Sequence, residues 1–149
     1  MKRFAFRLER LLQLRESAER ERARDLGIAL RDEADRRADA LAGEGRLADA
    51  RAQFAVTASG IAQAGTLQNL DLAIGALARE SKVLADQHER SLDKLELERR
   101  QFEQARMAKR VLERLREQRH EAWQDAYNRW EQAQSDEAAG QRAHGEEER

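Results

Sequence analysis

Apolar residues recur along the second half of the chain at alternating steps of three and four, from Leu67 through Leu70, Ile74, Leu77, Leu84 and Leu95 to Phe102, Leu112, Trp123 and Trp130. Continued to Glu137, this register holds twenty-one positions, thirteen of them apolar, with Ser81, His88, Ser91, Glu98, Lys109, Arg116, Arg119 and Glu137 as the polar members. A repeat of 3.5 held over so many heptads specifies a helix with one narrow stripe that needs a partner helix. The polar positions from Glu98 onward predict looser pairing there. Proline is absent, so only glycine and turn chemistry can end a helix. The pattern predicts a second helix over 67–138, about 105 Å long at roughly 1.5 Å per residue.

The first half reads as a shorter helix over 3–57. Phe4, Leu8, Leu11 and Leu12 share one helical face while Phe6 and Leu14 lie off it. That apolar surplus serves either as a contact surface or as packing against the second arm. Further along, Leu26, Leu30, Ala34, Ala38, Leu41, Ala48 and Ala52 recur nearer 3.67 than 3.5, which predicts a straighter arm. Gly43 and Gly45 each cost about 1 kcal/mol in a helix interior and mark the expected bend. Residues 58–66 are free of charge and rich in Ser, Gly and Thr, and Thr66 is placed to cap a helix beginning at Leu67. The simplest fold is one all-α domain over 1–149, a long antiparallel two-helix coiled coil, or α-hairpin, with 58–66 as its tip. The alternative is one continuous helix in a parallel dimer, with glycines and hydroxyl residues inside its seam. Residues 139–149 lose the periodicity and read as a frayed acidic tail.

A turn centred near Ile61 places Phe4 opposite Gln118, so that residues beyond Glu121 project past the N-terminus. This overhang holds Trp123, Tyr127 and Trp130, with both tryptophans of the chain. Large aromatics without an intramolecular partner mark a binding surface; alternatively they fold over Phe4 and Phe6 and close the hairpin's own end. The net charge is -1, but residues 1–24 carry eight Lys or Arg against four Glu. Residues 106–119 carry six basic groups, including Arg110, Arg114 and Arg116, against two Glu. Hairpin pairing sets these basic segments side by side, a surface that steers toward an acidic protein. Nucleic acid fits less well, because Glu interleaves with the basic residues and no nucleic-acid module surrounds them.

Hydrophobic residues make up 40% of the chain and charged residues 38%, too polar for a rounded core and ordinary for a two-helix seam. Cysteine is absent, which removes thiol chemistry and fits a reducing compartment. No apolar run reaches membrane-spanning length, and a cytoplasmic location is expected. No phosphate loop, nucleophile elbow, metal-ligand spacing or cofactor motif occurs. His88 falls on the seam, and His120 and His144 lie among charges. The sequence predicts no enzyme activity and no cofactor.

The opening Phe4-Ala-Phe-Arg-Leu-Glu-Arg-Leu-Leu-Gln-Leu-Arg-Glu resembles one end of the flagellar FliJ family. The closing Val111-Leu-Glu-Arg-Leu-Arg-Glu-Gln-Arg and Tyr127-Asn-Arg-Trp-Glu-Gln-Ala-Gln-Ser-Asp-Glu-Ala resemble the other. The resemblance implies a component of the flagellar type III export apparatus, an antiparallel coiled coil similar to the γ-subunit stalk of rotary ATPases. Such proteins enter the hexameric ring of the export ATPase FliI, promote its activity, contact the export-gate protein FlhA and escort export chaperones. By resemblance, the ring-facing residues are Phe4, Phe6, Leu8, Leu11, Leu12 and Arg15, with Trp130, Glu131, Gln132, Asp136 and Glu137. Membrane association is implied only through partners, at the cytoplasmic face of the inner membrane by the flagellar basal body. An injectisome stalk shares the mechanism, and a generic coiled-coil scaffold or tether shares the composition.

An intramolecular hairpin of these arms has the length of the longer one. X-ray scattering from the monomeric fraction is expected to give a maximum dimension near 105 Å; a compact particle of about 40 Å, as expected for a globule of this length, excludes the hairpin.

Overall fold

The computed structural model describes residues 3–61 and 63–147, with side chains for 3–61 and 63–137. It is an all-α hairpin of two long helices packed against each other, α1 over Glu9–Ala58 and α2 over Ala64–Glu147. The chain divides into two compact units, a tip-bearing unit over 20–103 and a terminal unit formed by 1–19 with 104–149.

In the tip-bearing unit, the 3-4 register of α2 is the buried one. Leu67, Leu70, Ile74, Leu77, Leu84, His88, Glu98 and Phe102 are half-buried, and Ser81, Ser91 and Leu95 are buried. On α1 the inward face differs from the sequence expectation. Leu30, Ala34, Ala38, Leu41, Ala48 and Ala52 are exposed, and the inward positions are Leu26, Ala29, Glu33, Ala40, Gly43, Leu47, Ala50, Phe54 and Thr57. These step by three and four, with one whole heptad between Glu33 and Ala40, so α1 keeps the 3.5 repeat of its partner. The physical reason is size and pairing. Ala29, Ala40 and Gly43 let the backbones approach, and the polar member Glu33 is satisfied across the seam. His88 Nε2 lies 2.9 Å from Glu33 Oε1, while Ser91 Oγ donates to the His88 carbonyl at 2.7 Å. On one flank Arg46 Nη2 donates to Glu80 Oε1 at 2.7 Å, and Arg36 Nη1 donates to Gln87 Oε1 at 3.2 Å.

At Gly43 the helices lie close, since a Cβ there would sit 2.8 Å from Leu84 Cδ1. No bend is needed at 42–46, because the helix runs through it unbroken. Nearer residue 100 the seam holds two buried acceptors, Glu98 Oε2 and Gln101 Oε1, with no partner among the described residues.

The tip is shorter than 58–66. Thr57 Oγ1 donates to the Gln53 carbonyl and Ser59 Oγ to the Val56 carbonyl, both at 2.8 Å, each hydroxyl folding back onto α1. Gly60 N–H then closes a turn onto the Thr57 carbonyl at 3.3 Å. Helix α2 starts three residues before Leu67, and Thr66 lies within its first turn rather than at its cap. The Gln63 carbonyl accepts from the N–H groups of Thr66 and Leu67 at 3.0 and 3.4 Å. At its far end α2 continues through Glu147, beyond the expected stop at 138. Ala, Glu, Gln and Arg hold helical backbone by propensity after the stripe has ended. Residues 148–149 of the expected tail lie outside the described residues.

Two neighbouring glycines should respond oppositely. Gly45 has nothing within 4 Å of an added Cβ, so Gly45→Ala is expected to stabilise the hairpin by about 0.5–1 kcal/mol in chemical denaturation. Gly43→Leu places its branch against Leu84 and is expected to destabilise by about 1–3 kcal/mol. Equal effects at both positions would exclude the close approach at Gly43.

Candidate functional site

The terminal unit begins with a segment that is not helical. Residues 3–6 precede the first turn, and burial alternates along them: Arg3, Ala5 and Arg7 are exposed, while Phe4, Phe6 and Leu8 turn inward. A period of two is that of extended chain, and it corrects the first helix from 3–57 to Glu9–Ala58. It also removes the discrepancy of Phe6, which a helix would have left off the Phe4 face. Phe6, Leu12 and Leu112 form the buried cluster of this unit, with Phe4, Leu8 and Leu115 packed against it. Glu9 N–H bonds to the Phe6 carbonyl at 3.1 Å where the helix takes over.

An extended segment reaches about 3.3 Å per residue, over twice the helical rise. Phe4 therefore lands beyond the expected Gln118. Its ring meets the edge of His120 at 5.0 Å between centroids and an interplanar angle of 89°, and Trp123 at 6.0 Å. From there a ladder of rings continues along α2. His120 to Trp123 is 6.0 Å, Trp123 to Tyr127 is 5.4 Å, and Tyr127 to Trp130 is 5.9 Å. The steps 120, 123, 127 and 130 make one helical stripe, and rings at these separations attract one another beyond their burial. The ring contact of Trp123 with Phe4 agrees with the reading in which the aromatics close the hairpin's own end. Trp123 and Tyr127 are half-buried, Trp123 against Phe4, while Trp130 ends the ladder 43% exposed.

The other residues singled out from the sequence separate by burial. Phe6 and Leu12 are taken up by the hairpin itself, at 8% and 2% exposure. Phe4 and Leu8 are half-buried, whereas Leu11, Arg15, Arg110, Arg114, Arg116, Glu131, Gln132, Asp136 and Glu137 are exposed. Arg116 Nε lies 3.5 Å from Glu9 Oε2, so it ties α2 to the start of α1. His120 was missed as a site residue. It looked like one charge-flanked histidine among several, and its signal was the spacing to Trp123, Tyr127 and Trp130.

Lys109 is the polar anchor of this unit. Its Nζ lies 2.6 Å from Glu19 Oε2 and 3.7 Å from Glu113 Oε1. The hydrogen bond to Glu19 raises its pKa above the ordinary 10.5, against desolvation that lowers it, with the charges of Glu113, Glu19 and Glu16 adding to the rise. A cleft of about 650 Å³ is lined by Phe4, Glu113, Arg116, Glu117 and His120. Among the described residues that line it, none carries a hydroxyl, thiol or amine nucleophile. Among the described residues no His, Cys, Asp and Glu group could hold a metal ion, and no helix is long and apolar enough to cross a membrane.

The terminal side chains of this helical hairpin are spent on rings, ion pairs and an open polar cleft. The sequence profile of the FliJ family, described as flagellar FliJ protein, matches residues 4–148. The chain belongs to that family, and with it to the flagellar export-related proteins. No curated protein and no solved structure matches the chain.

The lysine offers a test of the pairing. A raised folded-state pKa contributes stability that is present below the unfolded value and is lost as pH rises through the folded one. Thermal melts taken from neutral pH upward past 10.5 are expected to show an alkaline loss that Lys109→Met lacks and Lys109→Arg postpones. Identical alkaline limbs in all three proteins would exclude the Glu19 contact.

Proposed function

We propose that the terminal unit is the ring-facing end of a stalk that regulates the hexameric export ATPase FliI, and that the hairpin also contacts the gate protein FlhA and escorts export chaperones. Membership of the FliJ family supports the export setting. The observation that carries the reading is the aromatic ladder from Phe4 to Trp130, which leaves its last ring exposed on α2 two turns past the tryptophan that Phe4 meets. A tryptophan in that position supplies a large, rigid anchor at low entropic cost. The exposed Arg110 and Arg114 supply positive charge that speeds encounter with an acidic ring surface. In this reading the chain is cytoplasmic and reaches the inner membrane at the basal body only through its partners. It turns over no substrate; its effect is on the ATPase's rate.

Trp130→Ala is expected to weaken binding to the ATPase by about thirtyfold and to lower stimulation of ATP hydrolysis at limiting stalk concentration. The circular dichroism spectrum should stay unchanged, because the ring is exposed. Reversal of Arg110 and Arg114 to Glu should slow association, with an effect that fades as salt is added. Arg116 is left in place because it holds Glu9. Unaltered ATPase stimulation and motility in the folded Trp130 variant would refute the assignment of this end.

A further inference from the structure

The aromatic ladder ends among charges of the opposite sign to those before it. Residues 106–119 carry six basic groups against two Glu, whereas residues 121–137 carry Glu121, Asp125, Glu131, Asp136 and Glu137 against Arg129. The first stretch therefore nets +4 and the second, which runs to the last described side chain, nets -4.

Placement on the helix sharpens this contrast. At about 100° per residue, His120, Trp123, Tyr127 and Trp130 fall within an arc of about 80° on α2, and Gln134 continues their line for one more turn. Glu131 and Glu137 stand about 60° to either side of that line, both exposed. The other charged groups of 121–137 lie on the far face, about 140° or more from it. Arg129 is among them, and its Nε donates to the Asp125 carbonyl at 3.2 Å. Arg116 lies on the line, three turns earlier than Tyr127, and Glu9 holds it. Arg119 shares the flank of Glu137 but sits about 16 Å of helix before Trp130. Arg3 is exposed and alternates with the inward Phe4, so it faces away from α2. Trp130 thus stands 43% exposed with a carboxylate on each flank of its line and the neighbouring arginine turned to the far face.

We propose that this end of the ladder is a subsite for an arginine side chain of a partner protein, its guanidinium lying on the Trp130 ring with Glu131 and Glu137 as counter-charges. This rests on the ring-facing reading given above and deepens it by naming the chemistry that Trp130 receives. An indole face attracts a cation through its quadrupole, and a guanidinium stacks on it well because it is planar and weakly hydrated. Carboxylates on both flanks attract the same cation and repel anions, so anionic lipid headgroups fit poorly. A second copy placed two-fold about Tyr127 would bring each Trp130 against a Trp123 that Phe4 already covers. Arg110 lies about 30 Å along α2 from Trp130, far enough for one partner to present an acidic patch to the first and a basic patch to the second.

The probe is a fluorescein-labelled synthetic helix of Ala and Gln with two arginines four residues apart, titrated against the full chain by fluorescence anisotropy. Its twin carries citrulline, which keeps the shape and lacks the charge. The arginine peptide is expected to bind at least about tenfold more tightly than its twin. Trp130→Ala, and separately Glu131→Gln combined with Glu137→Gln, should each weaken it at least about fivefold with helicity retained, and Trp130→Phe should weaken it less than Trp130→Ala. Asp125→Asn, on the far face, should leave it unchanged. The proposal is overturned if the arginine peptide does not bind, if the citrulline peptide binds equally, or if Asp125→Asn weakens binding as much as the paired Glu131 and Glu137 change, which would mean net acidity alone. It is also overturned if Trp130→Ala removes a self-association seen by sedimentation or binding to phosphatidylserine vesicles. Peptide binding that appears only once Lys2 is replaced by Ser would assign the subsite to the chain's own N-terminus and overturn it as well. If the peptide binds as expected while Trp130→Ala leaves ATPase stimulation unaltered, the ring reading fails and the subsite stands; lost stimulation without peptide binding has the reverse meaning.

Discussion

A two-helix hairpin has one shared stripe per helix in which to bury anything, and the rest of this structure follows from how narrow that stripe is. The buried hydrophobics among the described residues are Phe6, Leu12, Ala29, Ala40, Leu95 and Leu112. Leu14, Leu41, Leu72, Leu97 and others stay in solvent because no third layer covers them. A seam this thin is also weakly specified along its length, since apolar contacts tolerate a slip of one heptad. Polar pairs supply the register: Glu33 with His88 and Arg46 with Glu80 in the tip-bearing unit, Glu19 with Lys109 in the terminal unit. Slipping the helices would strand Glu33, whose side chain is only 17% exposed, without its partner.

The same narrowness explains which parts of the fold could be read from residues. Helix α2 was legible because its inward positions carry Leu, Ile and Phe, so size and spacing agree. On α1 they conflict: the large apolar residues Leu30 and Leu41 face out, while Ala29, Ala40 and Gly43 face in. Following size gave a period of 3.67, whereas the packing requires small residues so that α1 can lie close to Ser81 and Leu84. The first residues failed for a related reason. A helical wheel was imposed on Arg3-Phe4-Ala5-Phe6-Arg7-Leu8, although the strict alternation of charged or small with large apolar residues there is the signature of extended chain.

Of the candidate site, the aromatics of α2 and the basic segments were legible from composition, and the terminal motifs from family resemblance. Burial was not. Phe6 and Leu12 sit within the same motif as the exposed Leu11 and Arg15, and only the packing tells which of them a partner can touch. His120 was hidden by its charged neighbours, since one-dimensional context ranks it by charge while the stripe ranks it by geometry.

The two flanks of the terminal unit differ in what holds them. On one flank carboxylates and basic groups neutralise each other, which holds the N-terminal segment and the start of α1 against α2. On the other, Leu11 and Val111 stay exposed, each one position before the inward leucine of its own helix. The ion pairs of Glu9 with Arg116 and Glu19 with Lys109 therefore keep the hairpin closed without calling on the exposed apolar residues of the other flank.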